Sequence, residues 1–323
     1  MTNALTMASR REKRRPAAAA RRRAGSARPP WEEPPTAVGQ AAKGLTLGGT
    51  LAVILVPLWV IILTSFSTPG AINRAGGLVI WPDGLTTATY HQMLSDPTVV
   101  TALGVSLGIT VVGTALSMAV SVLCAYGLSR PRSLGHRFVL LLLITTMFIS
   151  GGLIPGFLVV TGLGGYGQWW SLILPSAVSV FNILVLRAFY QETSSELIDA
   201  ARMDGAGEWR ILWSVVLPTS RAVTAVTALF YAVGYWNSFF NVMLYMPTDS
   251  QKWPLQYVLL TYVNRANGLP GSVNSGFGET HVQTAPLSLQ MAVVVLTLVP
   301  LVIVYPFVQK HLRTGVLTGA IKG

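Results

Sequence analysis

Long charge-free runs alternate with short polar segments along this chain, and the runs predict its elements. Leu45 to Phe66 is the first and Val99 to Leu128 the second. Crossing about 30 Å of hydrocarbon takes roughly 20 apolar residues, because a helix rises 1.5 Å per residue and pairs its own backbone groups. The interval from Phe138 to Leu186 holds no charge and is too long for one helix; the Gly- and aromatic-rich GLGGYGQWW (Gly162 to Trp170) divides it into a third and a fourth run. Ala222 to Met246 and Ala285 to Gln309 complete the set. The pattern predicts an all-α polytopic membrane protein with six transmembrane helices and both termini on one side. Small residues four apart, Gly104 with Gly108, Ser117 with Ser121 and Gly152 with Gly156, are expected at close helix contacts.

Composition agrees. Of 323 residues, 51% are hydrophobic and 11% charged, against roughly 25% charged in a soluble domain. Ten of the 23 Lys and Arg lie in the first 43 residues. That stretch, RREKRRPAAAARRRAGSARPP, lacks interleaved aromatics and reads as a disordered arm near anionic headgroups, not as a nucleic-acid binder. The apolar run after it is too long for a secretory signal and has no small-residue cleavage site. With the N-terminus inside, the cytoplasmic segments hold ten, three, four and three Lys and Arg, and the external ones only Arg74, Lys252 and Arg265. The positive-inside rule therefore sets the orientation. Cys124 is the single cysteine, which excludes an internal disulfide.

Chemistry inside the membrane is sparse. All twelve Asp and Glu fall outside the proposed spans, whereas proton-coupled carriers hold ionisable groups within the bundle. No His lies in a span to serve a nucleophile, and HExxH and the GxxxxGK[ST] phosphate loop are absent. Active transport would draw its energy from a separate polypeptide.

Five acids sit in one loop, ETSSELIDAARMDGAGEWRILWSVVLP. Thr193 and Glu196 have capping-box spacing and start a short helix. Leu197, Ala200 and Ala201 share a face whose methyl groups admit another surface, and Gly205 is placed to end the helix in a left-handed turn. Trp209, Leu212, Trp213 and Val216 then make an i, i+3, i+4, i+7 stripe suited to the lipid interface, stopped by Pro218.

The segment from Glu196 to Pro218 resembles the EAA loop of binding-protein-dependent ABC importer permeases. Asp199, Ala200 and Ala201 occupy the EAA triplet, Gly205 the Gly, Val215 the Ile, and Leu217 with Pro218 the LP end. Asp for Glu, which shortens reach, and Val for Ile depart from the pattern. FISGGLIPGF, FNILVLRAFY, ALFYAVGYWNSFFNVMLYM and YPFVQKHLRTGVLTGAIKG are similar to MalG-like permeases of the carbohydrate-uptake class, oligosaccharide-importer subgroup, and the likeness covers roughly residues 45 to 323. The resemblance implies an ABC importer type I permease fold that acts by alternating access and performs no catalysis. It implies an ATPase-coupling site at Glu196, Asp199, Ala200, Ala201, Asp204 and Gly205. Its partners would be a second homologous permease, two ATPase subunits, an extracellular or periplasmic solute-binding protein, a sugar, and membrane lipid. The chain would bind no cofactor or metal itself, ATP and Mg being used by the ATPase. The location implied is the bacterial inner membrane. The domains expected are a disordered basic cytoplasmic arm (1–43), a six-helix permease domain (44–310) with a cytoplasmic coupling loop (191–218) and an external loop (247–284), and a cytoplasmic tail (311–323).

In the fifth run, Tyr231, Tyr235, Trp236, Asn237 and Asn241 are candidates for lining a translocation pathway, with Asn237 about 24 Å along the helix from Arg221. Aromatic faces and amides suit sugars; an interfacial belt with amides bonding across helices is the other reading. In the external loop, Trp253 to Val263 reads as an amphipathic helix and NGLPGSVNSGFGE as a mobile loop that docks the binding protein or none. Rival functions are an ion-coupled secondary transporter and a non-transporting membrane scaffold.

Overall fold

The computed structural model describes residues 36–130, 135–149, 151–192, 195–266 and 286–320. Residues 1–35 of the basic arm, the Thr193 cap and the loop NGLPGSVNSGFGE lie outside the described residues. The chain divides into two units, one ending at Pro57 and one beginning at Leu58.

In the first unit the described residues belong to α1 (Ala37–Ser65), which continues into the second. Leu45, Leu51, Val53, Ile54 and Val56 are all exposed. An apolar helix with exposed apolar groups on every side is suited to hydrocarbon rather than to water. It starts at Ala37, so residues 37–43 are helical rather than part of a disordered arm.

The second unit holds the bundle. In α2 (Pro97–Ser129) the Asp96 side chain accepts from the Thr98 N–H at 2.8 Å, and Pro97 occupies a first-turn position where no N–H is needed. The third predicted span is two helices, α3 (His136–Phe148) and α4 (Leu153–Gly162), separated by a break at Gly152, whose φ is 80°. The fourth is also bent: Trp170–Ser176 meets α5 (Val180–Glu192) at 50°. Then come the short α6 (Ser195–Met203), an irregular helical stretch from Glu208 to Thr219, and α7 (Arg221–Trp236). The fifth span predicted from Ala222 to Met246 is not continuous. It stops at Trp236, where Asn237 caps the helix, and resumes as Phe240–Tyr245. α8 (Leu255–Ala266) is followed by α9 (Pro286–Ala320), which runs on through much of the predicted tail despite Pro300 and Pro306. Among the described residues three helices are long and apolar enough to cross a membrane, or up to six spans if each bent pair counts as one.

Two buried clusters organise this unit. The first joins α2, α7, α8 and α9 around Trp236, Trp253 and Leu255. Leu255 donates its backbone N–H to Ser106 Oγ at 2.8 Å, and the Trp253 indole donates to the Met246 carbonyl. The segment read as an external amphipathic helix is thus packed against α2 within the bundle. The second cluster gathers Ala125, Tyr126, Ile183, Leu186, Ile198, Ile211 and Leu212, tying α6 and the stretch after it to α2 and α5.

The three small-residue pairs part company. Ser117 and Ser121 are fully buried and hydrogen-bond to Tyr235 and Tyr231. Gly104 and Gly108 have no neighbour within 4 Å of an added Cβ and line an open apolar cavity of about 420 Å³. Gly156 is likewise open, and at Gly152 an added Cβ would make only ordinary contact with Pro155 at 3.8 Å. The close approach falls instead at Gly113, where an added Cβ would lie 2.8 Å from the Tyr235 ring.

Candidate functional site

Two places carry the chemistry singled out in the sequence. At the first, α6 places Glu196 in its first turn and Arg202 in its last, charges that complement the helix dipole. It ends as Gly205 requires: φ is 79°, Gly205 N–H bonds to the Arg202 carbonyl, and Ala206 N–H reaches back to the Ala201 carbonyl at 2.9 Å. That pair of bonds is the left-handed helix stop in which glycine avoids a Cβ penalty. Ile198 is buried under the helix, while Leu197, Asp199, Ala200 and Asp204 face outward. The predicted contact face is therefore exposed, with Ala201 at its half-buried edge.

The aromatic stripe after it is not one face. Trp209 and Trp213 are 67% and 66% exposed, whereas Leu212 and Val216 are buried. Leu212–Val216 forms a π-helical turn. Its i→i+5 bonds turn each residue through less than the α-helical angle, so Trp213 and Val216 separate instead of sharing a side. Glu208 stands at the start of this stretch. Its carboxylate accepts from the Tyr126 hydroxyl and, at 2.9 Å, from Arg202. The Tyr126 bond and then the Arg202 bond hold the Glu208 carboxyl below its ordinary value.

At the second place, Ser176, Ser179, Asn182, Tyr231, Tyr235 and Ser238 line a cavity of about 240 Å³ between the start of α5 and α7. Both tyrosine hydroxyls are engaged at its wall. Tyr231 pairs with Ser121 at 2.7 Å and accepts from the Ser179 N–H; Tyr235 pairs with Ser117 at 2.8 Å and donates to the Ile173 carbonyl. Asn241 donates to Ser176 at 3.4 Å, beside the cavity. Trp236 and Asn237 do not line it. The Trp236 ring is buried and its N–H bonds to the Thr297 carbonyl on α9, while exposed Asn237 bonds to Val233 and Gln256. Ser176, Ser179 and Asn182 escaped the sequence reading; their i, i+3, i+6 spacing was the available signal. Among the described residues, no three His, Cys, Asp or Glu are grouped to hold a metal.

Residues 101–318 match the family described as binding-protein-dependent transport system inner membrane component. The protein LplC of Bacillus subtilis (strain 168) is 39% identical over 281 residues, 86% of this chain and 93% of its own. The polygalacturonan/rhamnogalacturonan transport system permease protein YtcP of the same organism is 38% identical, over 84% of this chain and 93% of its own. Among solved structures, a chain of a bacterial ABC transporter involved in the import of the acidic polysaccharide alginate superimposes with a TM-score of 0.77 at 28% identity. The match covers 87% of this chain and 99% of that one.

Proposed function

The chain belongs to the family of binding-protein-dependent transport system inner membrane components, and from that premise we propose that its cargo is a sugar or oligosaccharide. It is a multi-pass permease subunit of an ABC importer and not itself an enzyme; such a permease works with an ATPase and a solute-binding protein. The observation that carries the sugar reading is the uncharged cavity at α5 and α7, where serine hydroxyls and the Asn182 amide stand beside aromatic rings. Hydroxyls and amides exchange hydrogen bonds with a sugar, and ring faces take its CH surfaces. The volume lies just below the ~300–1,000 Å³ of ordinary small-molecule sites, which fits a pathway shared with a second, homologous permease. The names of the polygalacturonan/rhamnogalacturonan and alginate systems support the same class.

The finer scheme is part of the proposal. Two ATPase subunits use ATP and Mg and seat against α6 through Glu196, Asp199, Ala200, Ala201, Asp204 and Gly205. Both termini are cytoplasmic, and the pathway comprises Tyr231, Tyr235 and Asn241 with Ser176, Ser179 and Asn182. Uptake of labelled oligosaccharides by the reconstituted complex tests the reading. Asn182→Leu should reduce uptake severalfold while the complex assembles normally. Unchanged uptake would remove the cavity from the pathway, and uptake that survives ATP depletion but collapses with the ion gradient would favour a secondary carrier.

A further inference from the structure

Four residues separate Met203, the end of α6, from Glu208, and two of them are Gly205 and Gly207. A backbone with two glycines in so short a link is a poor transmitter of force, because glycine gives the chain its widest conformational freedom. Side chains bypass that link. Arg202, in the last turn of α6, reaches across it to Glu208 Oε1 at 2.9 Å and lies 3.6 Å from Asp199. Glu208 Oε2 accepts from the hydroxyl of Tyr126, which stands in the last turn of α2 and also donates toward the Glu208 carbonyl at 3.3 Å. Arg130, just beyond α2, donates to the Tyr126 hydroxyl at 3.3 Å, with its guanidinium 4.9 Å from the ring centre.

We infer that Arg202, Glu208 and Tyr126 form a strut through which motion of α6 reaches the end of α2 without passing along the glycine link. The inference rests on the proposed role of α6 as the ATPase-coupling helix. Magnitudes decide which contact matters. Arg202 and Glu208 are 46% and 55% exposed, and an ion pair of that exposure contributes little in water. The Tyr126 side is different: the residue is 9% exposed and belongs to the buried cluster with Ile198 and Ile211. A hydroxyl donating to a carboxylate there is a charge-assisted bond, roughly twice as strong as a neutral one. Arg202 therefore orients Glu208, and Tyr126 holds it. All three are positioning residues that need not touch sugar or nucleotide.

The test uses the full complex in proteoliposomes, with ATPase retention, stimulation of ATP hydrolysis by the loaded binding protein, and sugar moved per ATP as readouts. Tyr126→Phe keeps the ring and its packing and removes one hydroxyl; Glu208→Gln removes the charge. Each should retain the ATPase yet lower stimulation on the order of tenfold, the factor a charge-assisted bond can carry. The double variant should lose no more than the worse single one, because both changes cut one strut. Wild-type stimulation in Tyr126→Phe, additive losses in the double variant, or loss of the ATPase itself in Tyr126→Phe would each overturn the inference. If Glu208→Gln does not assemble, Tyr126→Phe decides alone. Gly205→Val and Ala200→Trp separate the two levels: stimulation lost in them but intact in Tyr126→Phe refutes the strut alone, whereas wild-type stimulation in all four refutes the coupling role of α6.

Discussion

Two glycines show how one residue type fails for opposite reasons. At Gly205 an added Cβ would meet open space, but φ is 79°, so the cost of a side chain is backbone strain of about 1–3 kcal/mol. Gly205→Val should insert and fold around this point yet lose transport. Gly205→Asn, whose side chain tolerates the left-handed region, should keep most of it; equal loss in both would move the cause from backbone to side-chain bulk. At Gly113 the backbone is ordinary helix and the ring of Tyr235 leaves no room. Gly113→Val should cost about 1–3 kcal/mol of overpacking, more than Tyr235→Phe, whose lost membrane hydrogen bonds are worth on the order of 0.6 kcal/mol each. Thermal unfolding in detergent ranks the two variants. Gly205 was legible in the sequence because a helix stop is local, following four residues after Ala201 in the EAA-like pattern. Gly113 was not, since the ring that crowds it lies on a helix far along the chain.

Among the elements, α2 was readable almost to its ends, being an uninterrupted apolar run with Asp96 and Pro97 at its start. The predicted fifth span was misread because apolar composition does not register a break; Asn237, Ser238 and Phe239 interrupt the helix while hydropathy stays high. By residue type Trp236 suits either a pathway lining or helix packing, and only its tertiary bond to Thr297 shows it buried in the bundle. Trp236→Ala should therefore lower stability or assembly, in contrast to Asn182→Leu. The stretch from Glu208 answers to pH in a definite direction. Its carboxyl is held below the ordinary 4.5, so the stabilisation from Tyr126 and Arg202 is fully present above that value and is lost as pH falls through the lowered one. Following the Glu208 carboxyl resonance should show Tyr126→Phe moving its titration up toward the ordinary value. An unmoved titration would mean that the hydroxyl bond does not hold it.

At the scale of the whole molecule, class and membrane character were readable because hydrocarbon demands long charge-free runs, and Lys and Arg then predict the sides. Reporter fusions after Arg130 and after Gly205 should be cytoplasmic and one after Asn267 external; an external reporter after Gly205 would contradict the proposed coupling loop. What pairs with what across the bundle was not readable, because apolar runs carry no partner code. The seam between α2 and α7 has such a code, written in side-chain size. Gly113 and Ser117 meet Tyr235, and Ser121 meets Tyr231, so rising positions on one helix meet falling positions on the other. A slip of one turn in that direction would drive Tyr235 from Gly113 onto Ile109, a far larger side chain that is itself buried. This seam behaves like meshed teeth, opposing a ratchet that would carry Tyr235 toward Ile109. The two helices should swing together as one lever through the transport cycle, and spin labels placed on each should keep a constant separation whether the ATPase is loaded or empty.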